Sequence, residues 1–332
     1  MASLNYSNSF FTITMTEKQG KIGVILLNMG GPERQEDVRP FLYNLFSDRN
    51  IIRLGPALLQ KPLAWLISSR RSPKSRAMYA QIGGGSPLKA ITLQQAIALE
   101  SALKKDGDYV VTMAMRYCPP SEKDALELLL AQGVHRIIAL SLYPHFSKAT
   151  TGSSLVQLRN GIKHCQAPIS LQTIQSWPSQ PSYVQALAGN IKDGLHRFNS
   201  NQVEVLYSAH SLPVSFINEG DPYVQHITET IQAVEKITGK KGRLCYQSRS
   251  GPVEWLSPST PDTLQALGQK KCKNILMVPI SFVSDHIETL YEIEILYKKQ
   301  AAELGMRLES SASLNTNPLF IQGLKELIVQ AQ

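Results

Sequence analysis

Six short apolar runs punctuate the chain, and each stops at a cluster of small, polar or proline residues. In the first half, Lys21 to Leu27 ends in Asn28-Met29-Gly30-Gly31-Pro32, Tyr109 to Met115 in Arg116-Tyr117, and His135 to Leu142 in Tyr143-Pro144-His145-Phe146-Ser147. In the second half, Gln202 to Tyr207 ends in Ser208-Ala209-His210-Ser211-Leu212-Pro213, Arg243 to Gln247 in Ser248-Arg249-Ser250-Gly251-Pro252, and Lys273 to Ile280 in Ser281-Phe282-Val283-Ser284-Asp285. Short apolar runs bounded by such breakers read as buried strands. Helical stretches lie between them, and the alternation predicts an α/β protein with parallel sheets. Three blocks recur in the same order, which predicts two similar doubly wound domains. In such sheets ligands bind beyond the carboxyl ends of the strands, so one shared cleft is expected there. The layout read from this pattern is a disordered tail over 1–20, a first domain over 21–171 and a second over 172–313. A last helix, Leu319 to Val329 within 314–332, is expected to return to the first domain.

One segment stands out for its charge. Asp285, Glu288 and Glu292 are spaced by three and four residues, which on a helix stacks three carboxylates on one face. Like charges so placed repel, so a chain that keeps them together usually needs a cation or protons to move. His210, at the end of another strand, pairs with that signal: a neutral imidazole takes a proton near neutral pH and binds borderline metals. A histidine and a carboxylate column at two strand ends point to a divalent metal and proton transfer. Crowding is expected to raise at least one carboxylate's pKa. The bland alternatives are a histidine bonded into a turn and an acidic helix start. The second explains Asp285 well and Glu292 poorly.

Composition narrows the classes. With 332 residues, 43% of them hydrophobic, the chain can bury a sizeable core. No window approaches the ~18 apolar residues of a membrane span. Met1 to Gly20 has neither a basic start nor an apolar stretch, so it is not a signal peptide. Cys118, Cys165, Cys245 and Cys272 are scattered, which favours a reducing compartment. The net charge of +8 suits an anionic partner. The densest basic run, Arg70 to Arg76, reads as lying between helical segments and carries no nucleic-acid motif. No G-x-G-x-x-G follows the first strand, which argues against a nucleotide-binding oxidoreductase, and Ile82 to Pro87 lacks the signature of a phosphate cradle.

Seven pieces in register resemble the ferrochelatase family, which inserts ferrous iron into a porphyrin to make haem: Leu27 to Pro32, Arg70 to Lys74, Ile82 to Pro87, Thr150 to Ser154, Ser208 to Pro213, Gly251-Pro252 with Trp255-Leu256, and Ser284 to Glu292. The resemblance spans about Lys21 to Pro318. It implies the chelatase fold, two Rossmann-like domains around a porphyrin cleft, with protoporphyrin IX and Fe²⁺ as substrates and no permanently bound cofactor. It implies that His210 accepts protons and, with Glu288, contacts iron, while Glu292 and Asp285 continue a proton relay beside His286. It puts Met29, Arg71, Tyr79 and Ser86 against the macrocycle or its propionates. Arg116, Tyr117, Tyr143 and Trp177 would line the opposite side, and Trp255 and Phe282 would be aromatic walls. Many animal members carry a [2Fe–2S] cluster through an internal cysteine and a cysteine-rich extension. Lys148 stands at the internal position and the chain stops at Gln332, so no cluster is expected and a monomer is favoured over a dimer. The expected location is cytoplasmic or peripheral on the inner face of the cell membrane; Phe41 to Phe46, Pro56 to Leu59 and Trp65 to Ile67 read either as an apolar lip that touches lipid or as helix faces packed into the core. The alternatives left open are a coproporphyrin or other tetrapyrrole chelatase and a non-catalytic tetrapyrrole or metal carrier.

Overall fold

A computed structural model describes residues 20–332 apart from residue 250. The first half contains β1 (Ile22–Asn28), α1 (Val38–Ser47), α2 (Gln60–Ala80), α3 (Leu88–Leu103), β2 (Tyr109–Met115), α4 (Glu122–Ala131), β3 (Arg136–Ser141), α5 (Ser153–Lys163) and β4 (Ser170–Ile174). The second contains α6 (Pro181–His196), β5 (Glu204–His210), α7 (Val214–Asn218), α8 (Tyr223–Thr238), β6 (Gly242–Gln247), α9 (Thr260–Gln269), β7 (Asn274–Pro279), α10 (Lys298–Glu303), β8 (Arg307–Ser310) and α11 (Pro318–Gln330).

The strands form two parallel sheets with the same order, β2-β1-β3-β4 and β6-β5-β7-β8. All seven residues of β1 are buried, as expected of a central parallel strand covered on both faces. In each sheet the chain leaves the first strand toward one neighbour and later returns on its other side. The carboxyl ends of β1 and β5 are therefore topological switch points, where a crevice opens. Asn28-Met29 leaves the first and His210 ends the second, so the fold itself delivers both motifs to the cleft.

One apolar cluster runs through both halves, including Leu99 and Leu103 of α3, Ile191 of α6, Val278 of β7, and Phe320 and Leu324 of α11. Helix α11 packs against α3 and α6. Strand β4 runs through position 171, the expected end of the first domain, to Ile174.

The basic run Arg70 to Arg76 does not separate two helices: it lies inside the single helix α2, with Pro73 in its interior. A proline removes one backbone donor, and a helix of 21 residues tolerates that loss. Helices α1 and α2 pack together between β1 and α3. Phe41 and Phe46 turn inward, whereas Leu58 is 91% exposed and Trp65 56% exposed.

After the third strand of each sheet the chain makes π turns, over Lys148–Gly152 and over Glu288–Tyr297. Their bonds run from residue i to i+5: Gly152 N–H reaches the Ser147 carbonyl at 3.0 Å. Such turns are rare and frequent at functional sites.

Candidate active site

His210 closes β5. Its N–H donates to Ser281 Oγ at 3.0 Å and its carbonyl accepts from the Tyr223 hydroxyl at 3.0 Å. The ring cannot drift, because Nδ1 sits 3.0 and 2.9 Å from the two oxygens of Glu288. A carboxylate only accepts, so Nδ1 carries the hydrogen and Nε2 presents a lone pair. The His210 side chain is 37% exposed and that of Glu288 15%: imidazole in front, carboxylate behind.

Glu288 also accepts from Gln247 Nε2 at 3.1 Å and Ser248 Oγ at 2.9 Å. Ser248 Oγ lies 2.7 Å from Glu292 as well. A hydroxyl has one hydrogen, so it can donate to only one of these carboxylates; the other must hold a proton and donate to the hydroxyl. Burial and the negative charge of Glu288 push Glu292 up to about 7, which makes Glu292 the protonated partner. Burial would also raise Glu288, but the positive charge available on His210 and the bond to it win, and its pKa is lowered. Burial opposes charge on His210; Glu288 and, behind it, Glu292 more than offset this, and its pKa is raised. The result is a bonded chain that converges on Glu288: Glu292 donates to Ser248 and Ser248 to Glu288 from one side, and His210 Nδ1–H donates to Glu288 from the other.

Asp285 is not part of this column. It precedes the π turns, and its carboxylate accepts from Ser313 Oγ at 2.6 Å, Asn315 Nδ2 at 2.8 Å and Thr289 Oγ1 at 3.1 Å. The expected helix face assumed that the helix begins before Asp285, whereas the π helix begins at Glu288. Glu288 and Glu292 still align. His286 lies beside them, with Nε2 3.9 Å from Glu288. Its Nδ1 faces the Ser284 carbonyl at 3.1 Å, so the hydrogen is there. Burial lowers its pKa. The Phe282 ring lies tilted against His286, centroids 4.1 Å apart, and meets His210 edge-on at 6.4 Å.

The first half supplies the facing loop. Asn28 Oδ1 accepts from Met29 N–H at 2.8 Å, and Tyr143 hydroxyl contacts Asn28 Oδ1 and Met29 N at 3.1 Å each. Tyr143 thus props the Met29 backbone. Ser86 N–H donates to Pro32 O at 2.7 Å, and Ser86 Oγ accepts from Leu88 N–H at 3.3 Å. These two loops pack so closely that a side chain on Gly31 would strike Ser86 at 2.7 Å. Tyr79 is buried; burial, then the charge of Glu288, raises its pKa. Arg71 is exposed, its guanidinium 5.6 Å from the Phe46 ring. Trp255 is half-buried beside Pro213.

Three expected lining residues are committed elsewhere. Arg116 donates to Asp48 at 2.7 Å, to Ser153 Oγ at 2.7 Å and to Gln157 at 2.7 Å. Tyr117 hydroxyl donates to Asp48 at 2.8 Å. Asp48 is buried, which alone would raise its pKa, yet the bonds from Ser153 and Asn50 and the charge of Arg116 hold it below the usual range. Trp177 is a core residue: its Nε1–H donates to Ser141 O at 2.8 Å and its ring packs on Tyr183 and Phe320. Sequence reasoning gave no role to Ser248, Gln247, Asp48 or Thr92. Gln247 and Ser248 sit at the carboxyl end of β6, where the rule that singled out His210 applies equally.

Among the described residues no three His, Cys, Asp or Glu side chains converge as a metal-holding group. Of the His210–Glu288 pair, His210 Nε2 is the open donor atom and the Glu288 carboxylate lies behind it.

Comparison with known proteins agrees with this geometry. Residues 21–332 match the family model for ferrochelatase. The chain is 64% identical over 309 residues to the ferrochelatase of Desulfotalea psychrophila, covering 93% of this chain and 97% of that one. It is 50% identical to the ferrochelatase of Geotalea uraniireducens, again over 93% and 97% of the two chains. Among solved structures, SirB from Bacillus subtilis with Fe³⁺ superposes with a TM-score of 0.52 at 11% identity, over 94% of this chain and 96% of that one. CbiX, the terminal enzyme of sirohaem biosynthesis in denitrifying bacteria, gives 0.52 at 10% identity, over 94% and 100%. These distant likenesses show a shared chelatase fold, and the matches along the whole length show that this chain belongs to the ferrochelatase family.

Proposed function

We propose that the porphyrin is protoporphyrin IX and that His210, Glu288, Ser248 and Glu292 carry its two pyrrole protons away as iron enters. Membership of the family makes the chain a lyase that inserts Fe²⁺ into a porphyrin for haem synthesis. The observation that carries our reading of the site is the His210–Glu288 contact at 2.9 Å. His210 Nε2 takes a pyrrole proton; the imidazolium formed is balanced by Glu288 at Nδ1. Once Glu292 has given its own proton to solvent, Glu288 takes the proton from Nδ1 and passes it to Ser248 as Ser248 gives its own to Glu292. One N–H and two O–H bonds break, three O–H bonds form, and Ser248 is unchanged; proton exchange with water at the part-exposed ring restores the Nδ1–H form and frees Nε2 for the second pyrrole proton. Glu292, with a pKa near neutrality, releases the proton at working pH. Phe282 and the Met29 loop press the ring from opposite sides, so that a pyrrole lone pair tilts toward the metal.

Ser248 has φ +64°, a left-handed conformation that costs energy for any residue but glycine. Ser248→Ala is expected to lower kcat about tenfold to 10²-fold. Ser248→Gly removes the backbone strain together with the hydroxyl and is expected to be as slow as the alanine variant. Wild-type turnover in the glycine variant would mean that only the backbone matters there.

Apolar substrate and apolar surface go together. Leu58, Leu59, Trp65 and Leu66 are exposed around α2, whose sequence also carries Lys61, Arg70, Arg71 and Lys74. This supports docking of the α1–α2 face on an anionic membrane. No helix among the described residues is long and apolar enough to cross one. Leu58→Glu with Trp65→Glu is expected to cut sedimentation with phosphatidylglycerol vesicles about tenfold and to leave kcat in detergent unchanged. Equal vesicle binding would remove the membrane contact.

Both walls of the cleft come from one chain, so the reading needs no second subunit. It also needs no iron–sulfur cluster: Lys148 Nζ donates to the Glu219 carbonyl at 3.0 Å, and the four cysteines are free thiols dispersed over both halves, as suits a reducing cytoplasm. The exposed apolar residues favour protoporphyrin, with two carboxylates, over coproporphyrin, with four. Anaerobic insertion rates with each porphyrin test this. Faster turnover of coproporphyrin would reverse the substrate assignment and leave the site chemistry standing.

A further inference from the structure

Helix α3 holds both walls of the cleft through two side chains one turn apart. Thr92 Oγ1 accepts from Asn28 Nδ2 at 3.1 Å and gives its own hydrogen to Leu88 O at 2.8 Å. Asn28 is the residue whose Oδ1 fixes Met29 and Tyr143. Three positions on, Gln95 gives its amide hydrogens to the second half, to Ser284 Oγ at 2.9 Å and to Asn315 O at 2.8 Å. Asn315 extends the hold. Its backbone N–H reaches Val283 O at 2.8 Å, its Oδ1 accepts from Asp285 N–H at 2.9 Å, and its Nδ2 donates to Asp285 at 2.8 Å. The segment so gripped, Val283 to Asp285, connects Phe282 to His286 and Glu288.

Thr92 and Gln95 are both 0% exposed. Side chains three positions apart on a helix sit about 5–6 Å from each other. The two anchor points are therefore fixed on one rigid element, at a set spacing and away from solvent. The arrangement is not the cheapest packing. Gln95 Oε1 is buried with no partner among the described residues, and an apolar side chain of the same shape would avoid that penalty. What an apolar side chain would lose is the tie between α3 and the second wall.

We propose that Thr92 and Gln95 are positioning residues that set the width of the cleft, holding the Met29 loop and the Phe282–Glu288 segment at the separation that deforms a porphyrin between them. The proposal rests on the insertion reading above. A cleft freed on one side still binds a flat ring but presses on it less. Loss of such strain lowers kcat and leaves KM level or lower. A residue that merely stabilised the fold would not split the two constants in this way.

Gln95→Met and Thr92→Val keep the side-chain shape and remove the ties. Each is expected to lower kcat for Fe²⁺ insertion about tenfold while KM stays within about twofold. The out-of-plane resonance Raman lines of bound protoporphyrin weaken in step. The double variant is expected to be no slower than the slower single one, because either break frees the gap. Multiplying effects would make these two unrelated local supports and overturn the proposal, as would wild-type kcat and Raman intensities in both single variants. Ser284→Ala removes one of the two bonds of Gln95 from the far side, with α3 and the bond to Asn315 O intact; if Gln95→Met does not fold, it is expected to show the same split, a lowered kcat with KM level, by a smaller factor, and a wild-type kcat would overturn the proposal. Wild-type protein that fails to insert iron in the same assay would strike at the insertion reading instead.

Discussion

Replacing His210 by alanine is expected to lower kcat by about 10³-fold or more while the affinity for protoporphyrin changes less than about threefold. The large effect follows from the position of the ring. His210 Nε2 is the open nitrogen of a side chain whose other nitrogen is tied to Glu288, which in the proposed site makes it the base and a neutral metal ligand. Removing it takes away the first proton acceptor, and Glu288, held below the usual carboxylate range, is a poor replacement. The small effect on affinity follows from the walls, since in the proposed site Met29, Phe282 and the loops around them, not His210, hold the porphyrin. Anaerobic steady-state kinetics and fluorescence titration of protoporphyrin measure the two quantities separately. A variant that turns over like wild type would remove His210 from the chemistry.

Glu288→Gln is expected to have the second largest effect, about 10²-fold in kcat, with a signature in pH. Glutamine can still contact Nδ1 but cannot balance an imidazolium. Burial then weighs more heavily, and the pKa of His210 falls from its raised value. The acid limb of kcat/KM, which in wild type lies above 6.5 because the base must be neutral, moves to lower pH. Stability carries the same sign logic. His210 has a raised pKa in the fold, so its contribution is complete below the unfolded value of 6.5 and is lost as pH rises through the folded value. Glu288 has a lowered pKa, so its contribution is complete above the unfolded value of 4.5 and is lost as pH falls through the folded value. Together they stabilise most between these two values. The melting-temperature advantage of wild type over Glu288→Gln should therefore peak at about pH 4.5 to 6.5 and shrink on either side. From pH 4.5 to about 7 part of it is also offset, because ionising buried Glu292 beside Glu288 costs the wild type more than the variant, so the peak lies toward the acid end of that window. An advantage that does not vary with pH would mean that the pair is not ionised in the fold.

The buried strands and their carboxyl ends were legible because central parallel strands are apolar almost along their whole length, as Ile22 to Leu27 is before polar Asn28 ends the strand. Strands β4 and β8 were not. Ser170 to Ile174 and Arg307 to Ser310 lie at sheet edges, where polar residues face solvent and the apolar signal vanishes. The doubled order of blocks led to the right fold class, and the seven family pieces led to the right family. Side-chain commitments were harder. Spacing alone put Asp285 in line with Glu288 and Glu292, but the start of a helix depends on tertiary bonds, and Ser313 and Asn315, some 28 and 30 residues away, claim its carboxylate. Arg116 and Tyr117 are ambiguous in sequence because their partner, Asp48, is a single acid about 70 positions earlier. Trp177 reads equally well as wall or core, and its packing on Tyr183 and Phe320 decides for core. Ser248 passed unnoticed because a serine after a strand carries no signal until two carboxylates are found on its hydroxyl.

The measurement to make first is anaerobic absorbance of the purified protein with protoporphyrin IX and Fe²⁺, beside His210→Ala from the same preparation. Haem absorbance growing with turnover on wild type, and porphyrin bound but unconverted on the variant, is the expected result. Porphyrin bound and left unconverted by wild type would contradict it, leaving a carrier with an idle proton path.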